Sequence, residues 1–217
     1  MTVFNRDNTG LTPNASTKEL QLKRRNRYYF SLFLLLVLGY SALAFTTGYI
    51  PSGSMEPLLK PGDHVLLMRA WAAYPFGTLP SRGDVVTFHF TKAAQERDAA
   101  NFPGTEAATI KSGEILIKRI VALPGETVQI LGNTVYINGK PLQENYTTIP
   151  VSNPNLYYPY AVLQPLKVPS DCVFVLGDNR NNSDDGRFWG PLHINDITAK
   201  YIMTLYHTKP PKDSESQ

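Results

Sequence analysis

The sequence predicts a mainly β protein carried behind a single apolar N-terminal helix. Three observations predict it. One stretch near the N-terminus runs 23 residues without a charge. Beyond it, no long segment repeats its apolar residues at the helical period. The rest of the chain is a series of short β-branched runs set off by glycine, proline and asparagine. With 217 residues, 42% of them apolar, the chain is too hydrophobic for a disordered protein and fits one domain plus an appendage.

The uncharged stretch is Tyr28 to Ile50, YYFSLFLLLVLGYSALAFTTGYI. As a helix it spans about 34 Å, enough for a ~30 Å hydrocarbon core. Lys23, Arg24, Arg25 and Arg27 abut its N-terminal end, and the first charge after it is Glu56. The positive-inside rule then leaves residues 1–27 as a basic cytoplasmic arm and puts everything after Ile50 across the membrane. Ala42-Leu43-Ala44 also reads as an A-x-A cleavage site, so a removed signal peptide is the competing reading. The apolar run continuing past Ala44 favours an anchor.

Strands are expected at His64–Met68, Asp84–Phe90, Glu114–Ala122, Thr127–Leu131, Thr134–Ile137, Val173–Leu176 and Ile197–Tyr206. Gly132-Asn133 and Asn138-Gly139 are hairpin-turn signals that make 127–142 a meander. A short helix is possible at Ala93–Ala100. Residues 143–170 hold five prolines and read as an irregular insertion in a body spanning 51–208. The tail 209–217 reads as disordered. Seven short strands imply a nearly closed antiparallel assembly, because open edges are a liability.

Charge and cysteine usage exclude several functions. The arm holds six basic residues against two acidic ones, which exceeds the whole net charge of +3, and the body is close to neutral. A nucleic-acid binder should carry its basic patch on the folded part. The lone Cys172 rules out an intrachain disulfide and any zinc site needing two thiolates.

Three segments carry chemistry-bearing residues. In Pro51-Ser52-Gly53-Ser54-Met55-Glu56-Pro57, two serines flank a glycine between stiffening prolines. In isolation it could be a polar linker. In Ile115–Gly125, a lysine and an arginine interrupt an apolar strand. Strand alternation puts Lys118 on one face with Leu116 and Ile120, and Arg119 on the other with Ile117 and Val121. A buried Lys118 would have a lowered pKa and could take a proton from a serine hydroxyl; Arg119 could not. A surface lysine is the plain alternative. Gly177–Gly190, GDNRNNSDDGRFWG, mixes carboxylates with Arg180 and Arg187. It fails the EF-hand pattern at its third and twelfth positions and suggests an ion-paired loop.

Four blocks in order, IPSGSMEP, GDVVTF (83–88), KRIVALPG (118–125) and GDNRNNSDDGRFWG, resemble bacterial type I signal peptidase, a membrane-bound serine protease family with a Ser-Lys dyad. The resemblance implies a β body with strongly bent sheets and an inserted second region. It implies Ser54 as nucleophile and Lys118 as general base. Ser52 would complete the oxyanion hole with the Ser54 N–H, and Ser183 would orient the lysine amine. Arg119, Asp178, Asp185 and Arg187 would form a structural polar network. Ile50 and Ile117 are candidate linings of the pockets that read small residues before the cut. Leu58 and Gly186 depart from the usual threonine and serine at positions that are not catalytic.

The implied activity is removal of signal peptides from exported preproteins after an A-x-A-like site, at the outer face of a cell membrane or a thylakoid-type membrane. It needs no cofactor and no metal. The expected partners are preproteins and the lipid bilayer, with no nucleic acid, and the chain is expected to be a monomer. The rival reading is a membrane-tethered, non-catalytic β-domain homologue; a cytosolic self-cleaving Ser-Lys protease would lack the anchor.

Overall fold

The computed structural model describes residues 15–101, 110–152 and 162–210. It divides into two units, residues 1–43 and 44–217.

The first unit is helical. α1 runs Ala15–Ala44, and from Lys18 on it is long and apolar enough to cross a membrane. Its apolar side chains, Phe30, Phe33, Leu35 and Leu36 among them, are exposed, unlike those of a helix buried in a soluble core. The helix takes in the basic cluster and stops at Ala44, short of the Ile50 end predicted from the uncharged run. Phe45–Tyr49 instead form strand β1. The sequence FTTGY is rich in β-branched and aromatic residues, which favour a strand once a partner is present, and its glycine disfavours a continued helix. The apolar run beyond Ala44 therefore belongs to the body.

The second unit is built from two antiparallel sheets. Its elements are β1, β2 (Asp63–Arg69), α2 (Ala70–Ala73), β3 (Val85–His89), α3 (Lys92–Asn101), β4 (Ile115–Ala122), β5 (Thr127–Leu131), β6 (Thr134–Ile137), β7 (Lys140–Pro141), β8 (Val162–Lys167), β9 (Cys172–Leu176), α4 (Gly186–Trp189), β10 (Leu192–His193) and β11 (Ile197–His207). The larger sheet has the order β1-β2-β11-β3-β4-β9-β10, the smaller β7-β6-β5-β8. All seven predicted strands form, and the short helix forms as α3. β11 changes register twice against β2, between Tyr201 and Met203 and between Thr204 and Tyr206. Such bulges bend a strand and strengthen its twist, which curves the sheet.

Alternation along the central strands explains how one sheet serves two cores. In β9, Val173 and Val175 pack with Phe88, Phe90, Ile120 and Trp189, while Phe174 and Leu176 face Val121, Val128, Ile130 and Val135 of the meander side. A strand buried on both faces reads as a continuous apolar run, as CVFVL does. At the β6–β7 turn, Asn138 and Gly139 both have positive φ, 51° and 76°, the geometry of a two-residue hairpin that matches strand twist.

The insertion at 143–170 is more regular than predicted. Val162–Lys167 is a strand, pairing with β5 from Thr127↔Lys167 to Ile130↔Val162. Pro165 is tolerated because β8 is an edge of the smaller sheet. The predictions for residues 1–14, 211–217, 153–161 and 102–109 lie outside the described residues.

Candidate active site

The serine-bearing segment is a tight turn pinned by its neighbours. Ser52 is extended (φ −128°, ψ 158°) and a single 3-10 turn follows at Gly53–Met55. Met55 is fully buried among Ile50, Leu59, Val65, Leu67, Val85 and Ala199. A 3-10 turn rotates about a third of a circle per residue. With Met55 driven into the core, Ser54 is left half-exposed beside it. Ser52 Oγ lies 3.5 Å from Ser54 Oγ. Ile50 itself is 4% exposed, so it underlies the turn more than it lines open space; Ile117 packs against the same cluster.

The lysine comes from β4, where it pairs with Val86 of β3. It is 4% exposed, and its Nζ donates to Ser54 Oγ at 2.8 Å. Burial lowers its pKa from 10.5 to about 8. Asp185 and Asp184 pull it upward and Arg187 pushes it down, but loss of hydration outweighs them. Of the two sequence-level readings of Lys118, the surface lysine is excluded.

The loop after β9 holds the remaining polar residues in a dense buried network. Arg119 grips Asp178 with two bonds, Nε to Oδ1 at 2.8 Å and Nη2 to Oδ2 at 2.6 Å, and gives a third to the Gly83 carbonyl at 2.8 Å. Asp185 caps α4 and accepts from Arg187 Nε and Nη2, each at 2.8 Å, and from the Gly177 N–H at 2.9 Å. Burial pushes the Asp185 carboxyl up, but the Arg187 charge and these bonds hold it below the ordinary carboxylate range. Removing one member of such a pair leaves a buried charge unmatched. The four predicted network residues are thus brought together as two bidentate pairs.

Ser183 behaves differently from expectation. Its hydroxyl is buried and makes no hydrogen bond among the described residues. It lies against Gly177 and makes no bond to the Lys118 amine, which donates to Ser54.

Three features of the site escaped the sequence reading. Arg180 pairs with Glu144 and donates from Nε to the Gly177 carbonyl at 3.0 Å. Asn179 bonds the serine turn from the far side, through both its side chain and its main chain. A strap from Glu144 to Ile149 lies along the loop: the Ile149 N–H donates to Asp178 O at 2.9 Å and the Arg180 N–H to Ile149 O at 2.8 Å. No local pattern marks such contacts, since they join atoms far apart in sequence.

A half-exposed serine hydroxyl touching a desolvated amine is the equipment of a hydrolase that works through an acyl-enzyme. Such a pair is chemistry that a serine hydrolase can use. Comparison with known proteins narrows that class. The family model described as signal peptidase, peptidase S26, matches residues 24–206. A signal peptidase I of Leptolyngbya laminosa is 37% identical over 175 residues, 81% of this chain and 75% of its own length. The thylakoidal processing peptidase 1 of Arabidopsis thaliana is 32% identical over 188 residues, 82% of this chain and 49% of its own. A crystal structure of a signal peptidase I from Enterococcus faecalis is 28% identical and covers 56% of this chain and 95% of that one, with a TM-score of 0.36. The chain belongs to the signal peptidase family, peptidase S26. It is a serine endopeptidase of signal-peptide processing, and its apolar N-terminal helix fits a membrane-anchored enzyme.

Proposed function

We propose that this chain removes N-terminal signal peptides from exported preproteins with Ser54 as nucleophile and Lys118 as general base. The observation that supports it is the 2.8 Å contact between the buried Lys118 amine and Ser54 Oγ. In the neutral state the amine accepts the Ser54 proton as Oγ attacks the scissile carbonyl. The carbonyl electron pair moves onto oxygen, facing the Ser54 N–H and the Ser52 hydroxyl. Lys118 then returns the proton to the leaving amine, and water, deprotonated by the same lysine, releases the acyl group. Arg119–Asp178 and Asp185–Arg187 hold the loop that backs the site. Ile117 contributes apolar surface for small residues at the cut, with Ile50 packed beneath the serine turn. With residues 1–27 cytoplasmic and α1 in the bilayer, the body works on the trans side of a cell or thylakoid-type membrane, where preproteins emerge.

The test is cleavage of a preprotein with an A-x-A site by the detergent-solubilised chain, with products weighed by mass spectrometry. One cut after the second alanine is expected, and none with Ser54→Ala. A folded wild-type chain that cuts nothing would favour the non-catalytic reading; an active Ser54→Ala protein would remove the nucleophile.

The pH dependence follows from the lysine. A base must be unprotonated, and the Lys118 pKa lies at about 8. kcat/KM is therefore expected to fall about tenfold per pH unit below that midpoint and to level off above it. A profile flat from about pH 9 to pH 5 would exclude Lys118 as the base.

A further inference from the structure

Gly53 and Ser54 turn both of their carbonyl oxygens toward one residue of the β9–α4 loop. Asn179 Nδ2 donates to the Gly53 carbonyl at 3.1 Å, and the Asn179 backbone N–H donates to the Ser54 carbonyl at 3.1 Å. The other end of the side-chain amide is occupied too: Oδ1 accepts the Asn182 N–H at 3.1 Å. Asn179 is 7% exposed, so these bonds form out of reach of competing water.

The Gly53 carbonyl and the Ser54 N–H belong to one planar trans peptide unit and point in opposite directions. Whatever fixes the carbonyl fixes the N–H. Inside the turn, the Gly53 oxygen also accepts the Glu56 N–H at 3.1 Å. That bond alone leaves a peptide next to a glycine, the residue with the widest choice of backbone conformation, free to tilt. The Asn179 amide is the second point that stops it.

We infer that Asn179 is a positioning residue of the oxyanion hole: by holding the Gly53 carbonyl it aims the Ser54 N–H at the place where the scissile oxygen gains charge. The inference rests on the proposal that Ser54 is the nucleophile. It assigns Asn179 no contact with substrate; the residue acts through the main chain of the turn.

The test uses the full-length chain and two variants. Asn179→Asp keeps the shape and the acceptor for Asn182 but sets a carboxylate oxygen against the Gly53 carbonyl. Asn179→Ala removes the donor without adding charge, and serves if the new charge unfolds the loop. Two probes are a peptide aldehyde ending in an A-x-A sequence and the same peptide ending in a plain carboxamide. With the aldehyde, Ser54 Oγ bonds the carbonyl carbon, the carbonyl electron pair moves to oxygen, and the serine proton passes to Lys118. The carboxamide binds without forming an adduct.

A kcat lower by roughly tenfold is expected, a fraction of the roughly 10²–10³ that loss of a whole oxyanion donor costs. The aldehyde inhibition constant should rise by a similar factor, while KM and the carboxamide dissociation constant stay within about twofold. A partly misfolded sample would lose active sites without moving either constant. Equal weakening of both probes, or an unchanged aldehyde constant, overturns the inference. Ser54→Ala separates it from the proposal beneath it: residual cleavage there overturns the nucleophile. A dead Ser54→Ala beside a fully active Asn179→Asp overturns only the role of Asn179.

Discussion

Replacing Lys118 by methionine is expected to abolish cleavage and at the same time to stabilise the fold. Both effects come from one observation, a fully buried amine whose pKa lies at about 8. An unfolded lysine titrates near 10.5, so between those values the unfolded chain binds a proton that the folded chain does not. Stability therefore rises with pH across that window. Below it both states are protonated, and the fold bears the full penalty of a charged, dehydrated amine, about 3 kcal/mol for a shift of this size. Methionine fills a similar volume without a charge. The variant should gain about 1–3 kcal/mol at pH 7, with the lost Ser54 hydrogen bond offsetting part of the gain. It should also lose the upward slope of stability between about pH 8 and pH 10. Cleavage should fall by at least about 10⁴-fold, the scale on which loss of a protease's nucleophile or base registers. Denaturant titration of both proteins at neutral and alkaline pH, beside a cleavage assay, checks the pair. A less stable methionine variant would mean that the amine is better accommodated than its burial implies.

The second large effect is expected at Gly177, the residue before Asp178 at the end of β9. A methyl group there would stand 2.1 Å from Ser183 Oγ, 2.5 Å from Ser183 Cβ and 2.5 Å from the Ser54 carbonyl oxygen. No side chain can be accommodated at those distances, and one of the three contacts is main chain of the serine turn. Gly177→Ala must push that turn away or open the loop. Forced overpacking costs typically about 1–3 kcal/mol, and a misplacement of about 1 Å at a reacting group can cost about 10²-fold in rate. The expected result is a folded protein with a lower unfolding midpoint and about 10²-fold slower cleavage. Gly190→Ala is the control: its φ of 86° is strained for alanine, but nothing lies within 4 Å of the added methyl. It should lose stability and keep its rate. If both variants cleave equally well, the crowding at Gly177 does not reach Ser54.

Much of this was legible in the residues. The alternating and β-branched runs marked the seven main strands, because strand formation there agrees with local propensity and with burial on one or both faces. The blocks marked Ser54, Lys118 and the polar residues Arg119, Asp178, Asp185 and Arg187, but not which carboxylate pairs with which arginine. Strands whose residues look like something else were not legible. Phe45–Tyr49 were hidden inside an uncharged run, where absence of charge cannot tell the last turns of a helix from an apolar strand. β8 was hidden by Pro165, which breaks the interior of a central strand but is tolerated at an edge. Asn179 and Glu144 were missed for a different reason. Each acts on a residue far away in the chain, Gly53 and Arg180 respectively, so no spacing rule connects them. The expected Ser183 contact with Lys118 is not formed among the described residues: the Ser183 hydroxyl is buried without a hydrogen bond, and the amine donates to Ser54.

The order of strands in the larger sheet carries a consequence for when the enzyme comes into being. β11 is the last strand among the described residues, yet it lies between β2 and β3. β2 supports the turn that holds Ser54, and β4, beyond β3, holds Lys118. The strands that support Ser54 and Lys118 thus lie on opposite sides of β11 in the sheet, and the Asn179 bonds to Gly53 and Ser54 are a second tie between them. A chain without β11 in place has both residues, but lacks one of the ties that bring them to 2.8 Å. Contacts between distant segments also form late, since the intervening loop must first be closed. The Ser54–Lys118 contact is therefore expected to be complete only once β11 has docked between β2 and β3.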